Sequence, residues 1–409
     1  MARNRTFVAV SIAVCAAYIG IGLVGPVRVL YAQSRGASLT IISAMTSAFL
    51  LANFAAQYPS GWLADRWGRK RIMVAGLLAQ ALLSLVYLFI TDPALFVALR
   101  FAEGAAGAAV LPSARALIAD TVAPEERGRA YGLFSASFNA GFLIGPALGG
   151  LLANVSYASV FVAAVVCRIV ALAVVLVMIP QVAHAVVSAQ QSATRERGAT
   201  SRRRDLFRLP LVGAYILAFG DYLYLGFDLA LMPLWMHDHL GASVTIIGLA
   251  YVAWAAPSIL LSPIGGRVAD RTRRSRLIVI FGLAQVPLYF IYGLANTGWI
   301  VAALFGVHAV FYAFVQPAVD THVAAASAVA SRARVQGVYS MVGSVGAFVA
   351  ANALPPLYAL NFRLPLFALG VGYGLCVLGG GLLVRRAEAR EPATAPLAPE
   401  APHVAAIVE

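Results

Sequence analysis

Arg100 and Glu103 stand three residues apart inside an apolar run, and Asp221 and Asp228 stand seven apart inside another. Three residues is close to one helical turn and seven close to two, so each pair projects from one helix face, the aspartates about 10 Å apart along the axis. Asp320 and His308 lie in a third run. The chemistry open to such groups is reversible. Burial disfavours the charged form of a carboxyl and a nearby cation favours it, so the group can take up or release a proton as its surroundings change. Glu103, Asp221, Asp228 and Asp320 are the candidates, with Asp228 near enough to a span end to be hydrated. Arg28, Arg115 and Arg168 are further cations in apolar surroundings. Arg28 can snorkel outward and Asp320 can pair with Arg115, whereas Arg168 has no evident partner. Covalent and nucleotide chemistry find no support. His237, Asp238 and His239 lack further ligands at metal spacing, and the only lysine, Lys70, is not in a G-x-x-x-x-G-K-[ST] loop. No metal and no cofactor is expected, and an enzyme is not.

The elements that position these groups follow from composition. The 409-residue chain is 61% hydrophobic and 11% charged, with mean hydropathy +0.83. A soluble domain of this size needs about a quarter of its residues charged. The apolar residues fall instead in runs long enough to cross a bilayer as helices, without the period-2 alternation of a barrel. Twelve spans are predicted: 7–30, 38–63, 72–91, 94–119, 131–153, 157–180, 210–235, 243–265, 276–295, 298–323, 337–360 and 364–384. Arg3 and Arg5 precede the first as in a signal peptide, but its length and the lack of a small-residue cleavage site predict a retained helix. Cys15, Cys167 and Cys376 are scattered through the runs and imply neither disulfide nor metal site. The net charge of +13 reports topology. Of 30 basic residues, 24 lie at the N-terminus, in alternate loops, in the centre or in the tail, and the loops between hold only Arg35 and Arg363. Both termini are therefore expected in the cytoplasm, and no nucleic-acid partner is implied.

The chain repeats itself. GASLTIIS from Gly36 returns as GASVTIIG from Gly241, an offset of 205. The same offset carries Gly61, Asp65 and Arg66 onto Gly266, Asp270 and Arg271, and Pro112 onto Pro317. It also carries Arg127, Arg129, Gly132 and Ser135 onto Arg332, Arg334, Gly337 and Ser340, and Glu103 onto His308. Each repeat then holds an even number of spans, and six fits. The expected fold is an all-α membrane protein of twelve transmembrane helices in two parallel six-helix repeats, an arrangement associated with rocking-type transporters. The expected units are a first bundle at 1–180, a cytoplasmic linker at 181–209, a second bundle at 210–386 and a disordered tail at 387–409.

Four stretches carry a resemblance. GWLADRWGRKR, Gly61 to Arg71, resembles the signature loop between the second and third helices of the major facilitator superfamily, and a looser copy, GRVADRTRR, starts at Gly266. In that copy Thr272 and Arg273 stand where the first has Trp67 and Gly68. RFAEGAAGA, from Arg100, is similar to the fourth-helix motif, with Glu103 a departure from the amide usual there. GLFSASFNAGFLIGPALGG, from Gly132, is similar to the fifth-helix pattern of exporters that work by proton antiport. Its Gly141, Gly145, Gly149 and Gly150 permit close packing and Pro146 a bend, while the second half has Ala350 and Ala351 in place of Gly145 and Pro146. DTVAPEERGRAYG, from Asp120, resembles the loop after the fourth helix.

The resemblance implies a major facilitator fold, and a conformational latch of Gly61, Asp65, Arg66, Gly68, Arg69, Asp120, Arg127, Asp270 and Arg271 that holds the outward-open state. It implies proton-coupled efflux of amphipathic small molecules or drugs by alternating access, as in the 12-helix drug–proton antiporters. The acid that several such exporters carry in the first helix is absent here, which leaves the coupling residue open. The central cavity is expected to draw on Arg28, Asn53, Gln57, Arg100, Arg115, Asn139, Tyr222, Trp254, His308 and Gln316. Uptake or facilitated passage of a sugar, organic acid or other metabolite is the alternative, with Arg28, Arg100 and Arg115 serving an anionic substrate. A non-transporting membrane sensor is a further one. The expected partners are a small-molecule substrate, protons and the lipid bilayer of the cell's inner membrane, for a monomer.

Overall fold

The computed structural model describes residues 5–123, 126–180, 207–327 and 332–389. Most of the expected linker, the tail from residue 390 and the side chains of Arg127, Arg129 and Arg332 lie outside the described residues. Among those described, thirteen helices and no strand are found. The first bundle holds α1 (Arg5–Ser34), α2 (Leu39–Trp67), α3 (Arg69–Val86), α4 (Leu95–Thr121), α5 (Arg127–Ala153) and α6 (Tyr157–Met178). The second holds α7 (Leu209–Ala230), α8 (Met232–Leu240), α9 (Val244–Arg271), α10 (Arg274–Leu294), α11 (Gly298–Ala326), α12 (Arg332–Leu360) and α13 (Leu364–Glu388). Eleven are long and apolar enough to cross a membrane. The third span is the exception among the twelve expected. Its helix α3 has 18 residues, and the first three are Arg69, Lys70 and Arg71.

The repeated phrase has a local cause. Gly36 and Gly241 take φ of 88° and 59°, a region that L side chains rarely occupy. Two residues on, Ser38 accepts from Ile41 N at 3.3 Å and Ser243 from Ile246 N at 3.3 Å. Each phrase is thus a tight turn followed by an N-cap that starts α2 or α9.

Helix ends differ from the apolar runs in a consistent way. Helices α2, α4, α5, α9, α11 and α12 continue several residues past the predicted spans on the side where the basic loops gather. An apolar run measures hydrocarbon thickness, and a helix continues into water where polar side chains allow it. The seventh span departs more. It breaks at Leu231 between α7 and α8, because Pro233 has no N–H to give the Leu229 carbonyl. That carbonyl accepts instead from Thr46 Oγ1 of the first bundle at 3.4 Å. At the other end, α13 keeps two residues of the expected tail, and Glu388 accepts from the backbone N–H of Ser275 at 3.2 Å.

Packing repeats as the sequence does. In the first bundle α1 lies on α5 and α6, α2 on α4, and α3 on α4 and α6. In the second, α7 lies on α12 and α13, α9 on α11, and α10 on α11 and α13. The bundles meet through α5 with α9 and α2 with α12. Gly145 shows how close the contacts within a bundle are: a Cβ there would stand 2.7 Å from Gly22 Cα and 2.7 Å from the Ile19 carbonyl of α1.

Gly145→Val is therefore expected to lower stability by about 1–3 kcal/mol through overpacking. Gly379→Val, where a side chain meets nothing within 4 Å, should leave it unchanged. Thermal unfolding of the purified protein checks both.

Candidate functional site

Among the described residues the cross-bundle hydrogen bonds gather toward one end. At the end opposite the basic loops, Gln33 Nε2 donates to Asp238 Oδ2 at 2.8 Å and Asn352 Nδ2 to Ser47 Oγ at 2.8 Å. Asn154 Nδ2 donates to Thr245 Oγ1 at 2.9 Å, which in turn donates to the Gly150 carbonyl at 3.0 Å. Backbones meet there too: a side chain at Gly150 would strike the Val244 carbonyl, and one at Gly248 the Pro146 carbonyl. At the basic end the matching positions stand apart. Gly61, Gly132, Gly266 and Gly337 have open space where a side chain would be, and Tyr58, Trp62 and Trp67 are exposed. A passage sealed at one end and open at the basic end results.

A cavity of about 490 Å³ lies between the bundles. Of the expected lining residues, Arg28, Asn53, Gln57, Arg100 and Tyr222 line it, joined by Phe49, Gln80, Glu103, Pro146, Arg168, Asp228 and Tyr251. Arg115, Asn139, Trp254, His308 and Gln316 are not among its lining residues. Arg115 is exposed nearer the basic end of α4, and Trp254 packs on Tyr312 at 5.4 Å. His308 is buried in the second bundle with both ring nitrogens occupied, Nδ1 by Tyr292 Oη at 3.1 Å and Nε2 by Gln285 Oε1 at 2.9 Å. Gln316 donates to Asp320 at 3.0 Å, so the pairing of Asp320 with Arg115 is replaced by one within α11.

Glu103 is the hub of the first-bundle wall. Its Oε2 accepts from Arg100 Nη1 at 2.9 Å and from Tyr87 Oη at 3.0 Å, and Arg28 Nε lies 3.7 Å away. Arg28 thus turns inward rather than snorkelling outward, because an acid is within reach. The Arg100 guanidinium also lies 3.9 Å over the Phe49 ring. Arg168 is 2% exposed, and its Nε and Nη1 have no protein partner.

The second bundle carries the other acids. Asp228 lines the cavity with Tyr251, and its Oδ1 is buried without a hydrogen-bond partner. Asp221 lies within Coulomb range of Asp320 among Tyr222, Tyr312 and Tyr339. Among the described residues no salt bridge reaches either aspartate.

The signature loop forms a charge chain. Gly68, at φ 99°, ends α2 and starts α3. Arg69 pairs with Asp120 and with Asp65, the latter at 4.0 Å, and donates to the Ala116 carbonyl at 2.6 Å. Asp120 therefore joins Asp65 through Arg69, while the Arg127 side chain is outside the described residues. Arg66 lies over the Trp62 ring at 5.4 Å, and Asp270 and Arg271 are exposed. In the fifth-helix pattern Gly141, Gly145 and Gly149 face α1 and Gly150 faces α9, while Pro146 lies between, its ring toward Gly22 of α1 and its carbonyl toward Gly248 of α9.

Tyr87, Gln80 and Tyr251 escape a reading by residue type, since a lone tyrosine or glutamine in a span usually packs. The offset could have found two of them. Tyr87 and Gln80 map onto Tyr292 and Gln285, and the buried bond of Tyr87 to Glu103 recurs as that of Tyr292 to His308.

The sequence pattern of the Major Facilitator Superfamily matches residues 10–231 and again residues 215–407. The chain is 32% identical over 138 residues to Multidrug resistance protein 2 of Bacillus subtilis, covering 34% of each chain. It is 28% identical over 203 residues to Quinolone resistance protein NorA of Staphylococcus aureus, covering 50% of this chain and 52% of that one. It thus spans between about a third and a half of these relatives' lengths. Among solved structures, a D-xylose–proton symporter superposes with TM-score 0.71 at 15% identity, covering 93% of this chain and 96% of that one. The nucleoside transporter NupG superposes with TM-score 0.71 at 13% identity, covering 94% and 99%. These last two likenesses are of fold.

Glu103→Gln is expected to destabilise the protein by roughly 3–5 kcal/mol, since it strips buried arginines of their counter-charge. Tyr87→Phe removes one hydrogen bond and should cost only about 1–2 kcal/mol. Chemical or thermal unfolding in detergent ranks the two; equal effects would contradict the hub.

Proposed function

The chain belongs to the major facilitator superfamily, and on that premise we propose that it is a secondary transporter that exports amphipathic small molecules against proton entry by alternating access. The observation that supports this most is the cavity between the bundles, closed by cross-bundle contacts at one end and open at the basic end. A rocking motion that separates Gly150 from α9 would bring Gly132 toward Gly266 and Gly61 toward Gly337, because each pair lies on helices that already meet at their other ends. The cavity would then open to the opposite side. In that state Asp65, Arg69 and Asp120, with Asp270 and Arg271 of the second bundle, would meet helix ends of the other bundle and act as the latch. Placing the basic loops in the cytoplasm puts both termini there and the present opening toward the cell interior. The setting is the plasma membrane and the working unit a monomer.

Proton coupling falls to the second bundle on this reading. Glu103 is already satisfied by Arg100, Arg28 and Tyr87. Among the described residues no salt bridge reaches Asp221 or Asp320, and a proton is the smallest cation that neutralises a buried acid of this kind. Asp228 faces the cavity and is the third acid of this bundle that a proton can neutralise. The two multidrug-resistance relatives support export, and uptake of a metabolite by the same cycle is the competing direction.

Everted vesicles with an imposed gradient, acid inside, separate the two. A panel of anionic, neutral and cationic fluorescent amphiphiles is offered outside. At least one should accumulate, leak out on addition of an uncoupler, and fail to accumulate with Asp221→Asn or Asp320→Asn. Accumulation that ignores both the uncoupler and the two substitutions would contradict the coupling. Movement only in the reverse direction would contradict export.

A further inference from the structure

The cavity's lining charges do not balance. Arg28, Arg100 and Arg168 face one glutamate, Glu103, on the first-bundle wall, an excess of two positive charges. Arg100 is occupied by Glu103 and by the Phe49 ring. Arg28 shares Glu103 with it, at 3.7 Å through an Nε that makes no hydrogen bond. Arg168 has neither: its Nε and Nη1 are buried donors without a hydrogen-bond partner, and among the described residues no salt bridge reaches it. Buried cations left without a counter-charge are costly in a membrane setting, and those that persist mark a place where an anion or water completes them. Planar guanidinium groups with free N–H edges match a carboxylate or phosphate oxygen pair more closely than any neutral group.

The remainder of the cavity fits the rest of such a molecule. Ile21, Leu50, Phe142 and Leu225 supply apolar wall. Asp228 on the second-bundle side is an acidic pole that repels a like charge, so a bound acid is oriented with its charged end toward α1 and α6.

We propose that the cavity takes organic anions: an amphipathic carboxylate or similar acid seats its charged group on the free Nε and Nη1 edge of Arg168, beside Arg28, with its apolar body toward the second bundle. The inference rests on the reading of this cavity as the transport site, and it specifies the substrate class of that site.

The test is binding by the purified full chain in nanodiscs, measured calorimetrically with 2-naphthoate, 2-naphthamide and 2-naphthylmethylammonium, three forms of one skeleton. The carboxylate should bind at least about tenfold more tightly than the amide or the amine, as expected for charge-assisted hydrogen bonds. Arg168→Gln should abolish that preference. Arg168→Lys, which keeps the charge, should retain binding within a few-fold and shows that loss in the glutamine variant is not misfolding. Amide or amine binding as tight as the carboxylate, or an unchanged preference in Arg168→Gln, would overturn the proposal. Saturating chloride that displaces the carboxylate from the native protein but not from Arg168→Gln would support it. Acid-selective binding without proton-driven export in vesicles supports the anion seat and removes the export reading alone.

Discussion

In lipid, hydrocarbon around a helix is as apolar as its neighbour's side chains, so two helices associate where small residues let their backbones meet and polar groups bond across the gap. That constraint governs how the two bundles meet here. Gly150 and Gly248 bring α5 and α9 together at one end, and hydrogen bonds from Asn154, Thr245, Asn352 and Gln33 complete the seam. At the basic end the small residues Gly61, Gly132, Gly266 and Gly337 are present but unpartnered. A seam made of few, short contacts is one that can be broken and re-formed, and the cavity's opening depends on which end is joined.

The duplication explains why such a seam can exist at both ends. Gln33 bonds Asp238, its own counterpart 205 residues on, as residues near a two-fold axis do. Away from the axis the halves have diverged. Tyr87 and Tyr292 each reach from the third span of a half to the fourth, yet one meets Glu103 and the other His308. The first bundle thereby gathers arginines around an acid facing the cavity, while the second buries a histidine network behind it and, among the described residues, keeps Asp221, Asp228 and Asp320 without a salt bridge. Divergence from one ancestral bond separates a cationic wall from an acidic one.

How much of this was legible depended on the scale of the pattern. Twelve spans and their pairing by repeat follow from hydropathy and one offset, and Ser38 and Ser243 cap their helices as the repeated phrase suggests. Helix ends were misjudged because an apolar run records the thickness of hydrocarbon rather than the length of the helix. Side-chain direction was harder still. Residues facing lipid and residues facing the bundle core are both apolar, so periodicity does not tell that Arg28 turns inward, that Arg168 reaches the cavity from α6, or that His308 turns away from it. The break at Leu231 was written in Pro233, but the Thr46 hydroxyl that relieves it comes from the other half of the chain.

The most direct measurement of the account is the distance between spin labels at or beside the two ends of α5 and α9, in a background with Cys15, Cys167 and Cys376 replaced by alanine. One pair sits at Leu133 and Arg267 near the basic end, the other at Val155 and Leu249 near the opposite end. Alternating access predicts that, as pH and ligand are varied, each pair shows a short and a long population, and that the short population of one grows in step with the long population of the other. Distances that stay single-valued under all conditions, or that lengthen and shorten together at both ends, would contradict it.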